Sequence, residues 1–106
     1  MSILSTHVLD TTAGVPVVGL RVHLGDAADQ AVAEGVTDDD GRVRFEAELP
    51  GGPHVLTFET GSWYGAQGRE TFFPVVGIAF EIDPARPHHH VPLLLGPFAY
   101  TTYRGT

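Results

Sequence analysis

Hydrophobic and polar residues alternate in short runs along this chain, with the two-residue period of half-buried strands. From Ile3 to Asp10, Leu4, Thr6 and Val8 fall on one face, and Ile3, Ser5, His7 and Leu9 on the other. The same reading predicts a strand over Val17 to Leu24, with Val18, Leu20, Val22 and Leu24 together, and a short one near Ala31 to Val36. A strand over Arg42 to Leu49 turns Val43 and Phe45 inward and Arg42, Arg44 and Glu46 outward. The strand over His54 to Thr60 separates Leu56 and Phe58 from Val55, Thr57 and Glu59. A long strand over Phe72 to Asp83 is interrupted at Pro74, and two more cover His89 to Leu95 and Ala99 to Tyr103. In "HVPLLLG", Val91, Leu93 and Leu95 form the core face, which points His90, Pro92 and Leu94 away from it.

Turn signals separate these runs. Gly and Pro, 13 and 8 of the 106 residues, are spread along the chain rather than pooled in a linker. Asp40-Gly41 is a strong reversal signal, and Gly96-Pro97 bends the chain between the last two strands. "GSWYGAQGRE" is the one plausible helix, of one or two turns. Many short strands with frequent turns predict an all-β sandwich or barrel.

The totals narrow the setting. A length of 106 residues fits a single domain spanning 1–106. With 13 acidic and 6 basic residues the net charge is −7, which argues against nucleic acid and anionic membranes as partners. Without cysteine there is neither a disulfide framework nor a thiolate metal site. "MSILSTHVLD" has no basic leader followed by an apolar run, and the apolar stretches are too short to span a bilayer. A soluble, cytoplasmic protein is expected.

The outward faces of the first and later strands still carry Ile3, Leu9, Pro92 and Leu94, so a second subunit is expected to cover them. A pocket there would collect His7, His90 and Arg42, a set suited to general base catalysis with a cation to hold developing negative charge. Each residue also has an ordinary explanation: an outward histidine is usually a surface residue, and an arginine after Asp-Gly is usually a solvated turn residue. In "HHH", His88 and His90 share a face as two metal ligands would, but the usual companion ligands are missing.

Longer motifs add to this. "LSTHVLD…GVP", "TDDDGR" and "HHHVPLLLGPFAYTTYRGT" resemble the 5-hydroxyisourate hydrolase family, the transthyretin-like proteins of urate breakdown. "GSWYGAQGRETFFPVVGIAFEI" is similar to that family's short helix and Phe-Phe-Pro strand. The resemblance implies a transthyretin-like β-sandwich of seven to eight strands with one short helix. It also implies a homotetramer with sites in a channel at the dimer–dimer interface, needing no metal or cofactor. Carried over residue by residue, the catalytic set is His7, Arg42 and His90. The substrate-binding set is His7, Arg42, Tyr103, Arg104, Gly105 and Thr106, because the family's chain end folds back into its active site.

The implied reaction opens the ring of the small molecule 5-hydroxyisourate to 2-oxo-4-hydroxy-4-carboxy-5-ureidoimidazoline. His90 or His7 would be the base, with the other as acid or orienting partner, and Arg42 would stabilise the oxyanion. The rival on the same fold is a hormone-type binding protein without catalysis. Two departures stand out: Thr106 replaces the usual terminal Ser and keeps its hydroxyl, and His89 replaces an aromatic residue. Alternation puts His89 on the face opposite His90, where a structural effect is expected.

Overall fold

The structure, a computed structural model, describes residues 2–106. Its strands in chain order are β1 (Ser2–Asp10), β2 (Val15–Pro16), β3 (Arg21–Asp26), β4 (Ala31–Val36), β5 (Arg42–Ala47) and β6 (Gly52–Phe58). After a helix, α1 (Thr60–Gly65), come β7 (Val76–Ile82), β8 (His88–Leu95) and β9 (Tyr100–Thr102). One sheet has the order β4-β3-β6-β7. The other runs β2-β1-β8-β9, with β5 sharing the edge of β1 that also takes β2. Both sheets pair antiparallel throughout except β1 with β8, which is parallel.

The two sheets bury the faces that the alternation predicts. Leu4, Val8, Val43, Phe45, Val91, Leu93 and Leu95 meet Val22, Leu24, Leu56, Phe58, Ile78 and Ile82 in one core. Each such side chain contributes about 1.5–3 kcal/mol when fully buried, so the register of every strand is strongly specified.

Two segments depart from the expected pattern. The run from Val17 to Leu24 is not one strand: Gly19, at φ 81, turns the chain, and β3 begins only at Arg21. Val17 and Leu20 are buried while Val18 is exposed, so Val18 does not share the face of Leu20. The strand expected over Phe72 to Asp83 begins at Val76. Before it, the Phe72 N–H donates to the Pro97 carbonyl at 2.8 Å and the chain belongs to the β8–β9 bend instead. The helix has the expected one to two turns, ending at Gly65 and followed by Gly68 at φ 66. Its trailing Arg69 lies over the rings of Trp63 and Tyr64 and donates to the buried Asp10 Oδ2 at 3.0 Å, which ties the helix to the end of β1.

Candidate active site

β5, β1 and β8 lie side by side, and their register aligns outward side chains in rows across the sheet. Arg42, His7 and Pro92 form one row; Arg44, Ser5 and His90 the next; Glu46, Ile3 and His88 the third. Directly opposed residues point the same way, and neighbouring strands are about 4.8 Å apart. His7 therefore has Arg42 beside it on one strand and His90 diagonally across on the other. The polar end of this face runs into an apolar end, where Leu9 pairs with Leu94. Ile3, Leu9 and Leu94 are half-buried there. Pro92, expected outward with them, is buried: β8 is flanked on both sides at this point, and Thr102 Oγ1 donates to the Pro92 carbonyl.

A tight turn presents Arg42. Asp38 Oδ1 accepts the N–H groups of Asp40 and Arg42, each at 2.9 Å, and the Gly41 N–H donates to the Asp38 carbonyl. The turn needs φ 77 at Gly41, where a Cβ would come 2.5 Å from the Val8 carbonyl oxygen. The Arg42 N–H is the main cause that holds the Asp38 carboxyl below its usual value; the nearby charges of Arg42 and His7 add to it.

Sequence reasoning passed over Ser5. Its Oγ lies 2.7 Å from His90 Nδ1 and 2.8 Å from His88 Nε2, so one hydroxyl joins two of the three consecutive histidines. Serine carries no signal of its own at that position. The parallel pairing of β1 with β8 creates the contact, and the shared face of Ser5 and His7 is the clue that could have pointed to it. Burial pushes the pKa of His90 down, and the neighbouring His88, His7 and Arg42 push it the same way, against an opposing hydrogen bond with the Ser5 backbone. The imidazole is thus held neutral and able to take a proton.

The chain end closes the site. After β9 the tail runs back along β8, and the Gly105 N–H donates to the His90 carbonyl at 2.8 Å. Arg104, Gly105 and Thr106 then share a recess of about 360 Å³ with Arg86, Pro87, His88 and His90. Tyr103 lines a second recess, of about 400 Å³, with Ile78 and Phe80 of β7 and with His90 and Arg104, which border both recesses. His7 and Arg42 share one row, His90 contacts the chain end, and Tyr103 meets His90 and Arg104 in the neighbouring recess.

His89 faces inward and is buried. Its Nε2 accepts the Asp83 N–H at 3.0 Å while its Nδ1 has no partner, and burial lowers its pKa. It supports the turn before β8 and does not reach the outer face. As for the metal-ligand reading of "HHH", no cluster of three or more His, Asp or Glu side chains able to hold a metal occurs among the described residues.

This sandwich of a five-stranded and a four-stranded sheet, with a short helix and a parallel β1–β8 pair at the centre of the larger sheet, is a transthyretin-type protein. The chain belongs to the HIUase/Transthyretin family, whose model matches residues 4–105. It is 42% identical to the 5-hydroxyisourate hydrolase of Caulobacter vibrioides over the whole of both chains. The solved 5-hydroxyisourate hydrolase of Klebsiella pneumoniae superposes with a TM-score of 0.89 at 42% identity, covering 100% of this chain and 94% of that one. Sea bream transthyretin, solved in complex with thyroxine, has a TM-score of 0.88 at 29% identity and covers 97% of this chain and 94% of its own.

Proposed function

We propose that this protein is a 5-hydroxyisourate hydrolase and that its outer sheet face is the active site. The observation that carries the reading is the seating of the chain end on His90, beside the row of His7 and Arg42. A carrier needs a pocket but has no use for a neutral base next to a fixed cation. The match to hydrolases of that name over the full chain supports the same conclusion.

The chemistry follows from the groups present. Water is a weak nucleophile at neutral pH, and a histidine accepting its proton raises its reactivity as it attacks. The water oxygen bonds to a ring carbonyl carbon, and the carbonyl oxygen becomes an oxyanion. Arg42, a permanent cation with a planar fork of donors, stabilises that charge. On collapse the bond from carbon to ring nitrogen breaks, and the nitrogen takes the proton back from the imidazolium. The product is 2-oxo-4-hydroxy-4-carboxy-5-ureidoimidazoline. The lowered pKa of His90 favours it as the base, with His7 as the orienting partner or acid. Arg104, Gly105 and Thr106 wall the substrate, and Tyr103 borders its entrance.

The single domain 1–106 works within a homotetramer, with the site at a dimer–dimer interface. The half-buried Ile3, Leu9 and Leu94 on the same face support this, since a second subunit would remove them from water. A cytoplasmic location suits the cysteine-free composition.

The test is to add the protein to 5-hydroxyisourate made freshly from urate by urate oxidase. The near-ultraviolet band of the intermediate should decay faster in proportion to protein, before and after dialysis against a chelator. Saturable binding with no acceleration would instead favour the carrier reading. Activity that returns only with added metal would make the histidine run a ligand set.

A further inference from the structure

The serine that links His88 to His90 has a consequence for catalysis. Its hydroxyl carries one proton and stands between two ring nitrogens, His88 Nε2 and His90 Nδ1. It can donate to only one of them and must accept from the other. The direction of this short chain sets the tautomer of both rings. If Ser5 donates to His90, the proton of His90 sits on Nε2, and its outer nitrogen can only give a hydrogen bond. If His90 donates from Nδ1, its Nε2 lone pair is free for the proton of an attacking water.

We propose that Ser5 is a positioning residue of the hydrolytic site, accepting a hydrogen bond from His90 Nδ1–H and donating its own proton to His88 Nε2, so that His90 Nε2 is held open as the base. The inference rests on the hydrolase reading above and adds two residues to it.

Two observations favour this direction. The same arrangement serves both forms of His90, because the imidazolium keeps its Nδ1–H bond to Ser5 after Nε2 is protonated. The opposite direction would have to break when His90 becomes charged. Finally, Ser5 sits on the central strand of its sheet, in register with His90 on β8 and Arg44 on β5, and cannot drift as a loop residue could. His88 is exposed and is the free end of the chain, where either tautomer can be solvated.

His90 is faced by His88 from its own strand, His7 from β1, Arg42 from β5 and Arg86 and Arg104 from the surrounding loop and tail. His88, His7 and Arg42 act against a proton on the ring. A ring N–H that donates to Ser5 Oγ favours the charged imidazolium, so loss of that bond should lower the pKa of His90 further.

The experiment uses the full chain with ¹⁵N-labelled histidine. Nitrogen shifts of His90 in the wild type should report a protonated Nδ1 and a bare Nε2 above its pKa; the reverse pattern would overturn the proposal without any variant. In Ser5→Ala, kcat should fall about ten- to a hundredfold, the scale seen when a residue orienting a functional histidine is lost. KM should change far less, and the acid limb of the kcat/KM profile should move to lower pH. Ser5→Thr, which keeps the hydroxyl, should recover most of the turnover. His88→Ala should give a smaller loss, because water can take the Ser5 proton. An unchanged kcat and tautomer in Ser5→Ala would refute the role of Ser5. Wild-type turnover in the same assay tests the hydrolase reading separately.

Discussion

Gly105 rests directly on the imidazole of His90. Its N–H donates to the His90 carbonyl at 2.8 Å, and a Cβ added at 105 would collide with Cδ2 of the ring and stand 3.0 Å from Cγ. The contact explains why the smallest residue occupies this position. Its backbone is not left-handed, so glycine is required here for closeness rather than for conformation.

Gly105→Ala should therefore lift the tail from His90 or push the ring out of place. Turnover should fall on the order of a hundredfold, as a misplacement of about 1 Å can cause. The melting temperature should barely move, since residues near a chain end carry little of the folding energy. Parallel measurement of kcat and thermal unfolding separates the two effects.

Deleting Tyr103 to Thr106 removes the same contact in full. The deletion should abolish measurable turnover while circular dichroism and subunit assembly stay as in the full chain. A truncated protein of normal turnover would disconnect the tail from the active site.

Single changes at the outer face should separate roles. His7→Ala and His90→Ala should each lower turnover by about 10² or more if both move protons. Arg42→Lys keeps the charge but loses the planar fork, and should also be poor. Normal turnover in His90→Ala would transfer the base to His7.

Acid should weaken the fold through two histidines. His89 and His90 both have pKa values below the ordinary 6.5, chiefly through burial. Between the folded and unfolded values the unfolded chain binds more protons, so stability rises with pH in that window. The contribution is complete above about pH 6.5 and is lost as pH falls towards the lower folded values. Urea midpoints measured from pH 7.5 down to 5 should fall, and His89→Phe should flatten part of that slope. It should also lower stability at pH 7.5, because the Asp83 N–H loses its acceptor.

Away from the site, Arg69→Ala should cost stability and leave catalysis intact. Burial alone would raise the pKa of Asp10, but hydrogen bonds from Arg69, Ala13 and Thr12 outweigh it and hold the carboxyl below 3.8. Losing the arginine leaves a buried carboxylate with two backbone donors, at a cost of about 1–3 kcal/mol. Chemical denaturation with an unchanged turnover number would bear this out.

The sequence made the strands legible wherever alternation ran unbroken. In β1, β5 and β8 the faces of Leu4, Val43 and Leu93 follow from period alone, and so do the outward positions of His7, Arg42 and His90. Alternation failed at Val17 and Val18 because Gly19, in a left-handed conformation, reset the face between them. It failed at Phe72 to Val75 because the Phe72 N–H bonds to the β8–β9 bend while the Phe73 and Pro74 carbonyls accept from Thr60 and Gly61 of the helix, partners that no local pattern reveals. Ser5 was invisible for a similar reason. A serine between Leu4 and Thr6 looks like surface until a strand from the far end of the chain is laid beside it. Tyr103, named through its motif, lines a recess that adjoins the one at Gly105 and shares His90 and Arg104 with it.

The parallel pairing of β1 with β8 also bears on how the molecule folds. Ser5 and His90 are separated by 85 positions, and the strands that carry them can meet only after nearly the whole chain has been drawn into a loop. Such distant pairings are slow, since the entropy of closure is spent before any contact repays it. The hairpin of β3 with β4 is local, and β6 and β7 are joined through only the helix and its flanking loops, so both pairings can form early. In refolding, fluorescence from Trp63, whose ring N–H donates to the Val18 carbonyl in the connection before β3, should settle before turnover returns. Catalytic competence would then be among the last properties the chain acquires, and the lag between the two signals would time the docking of β8 onto β1.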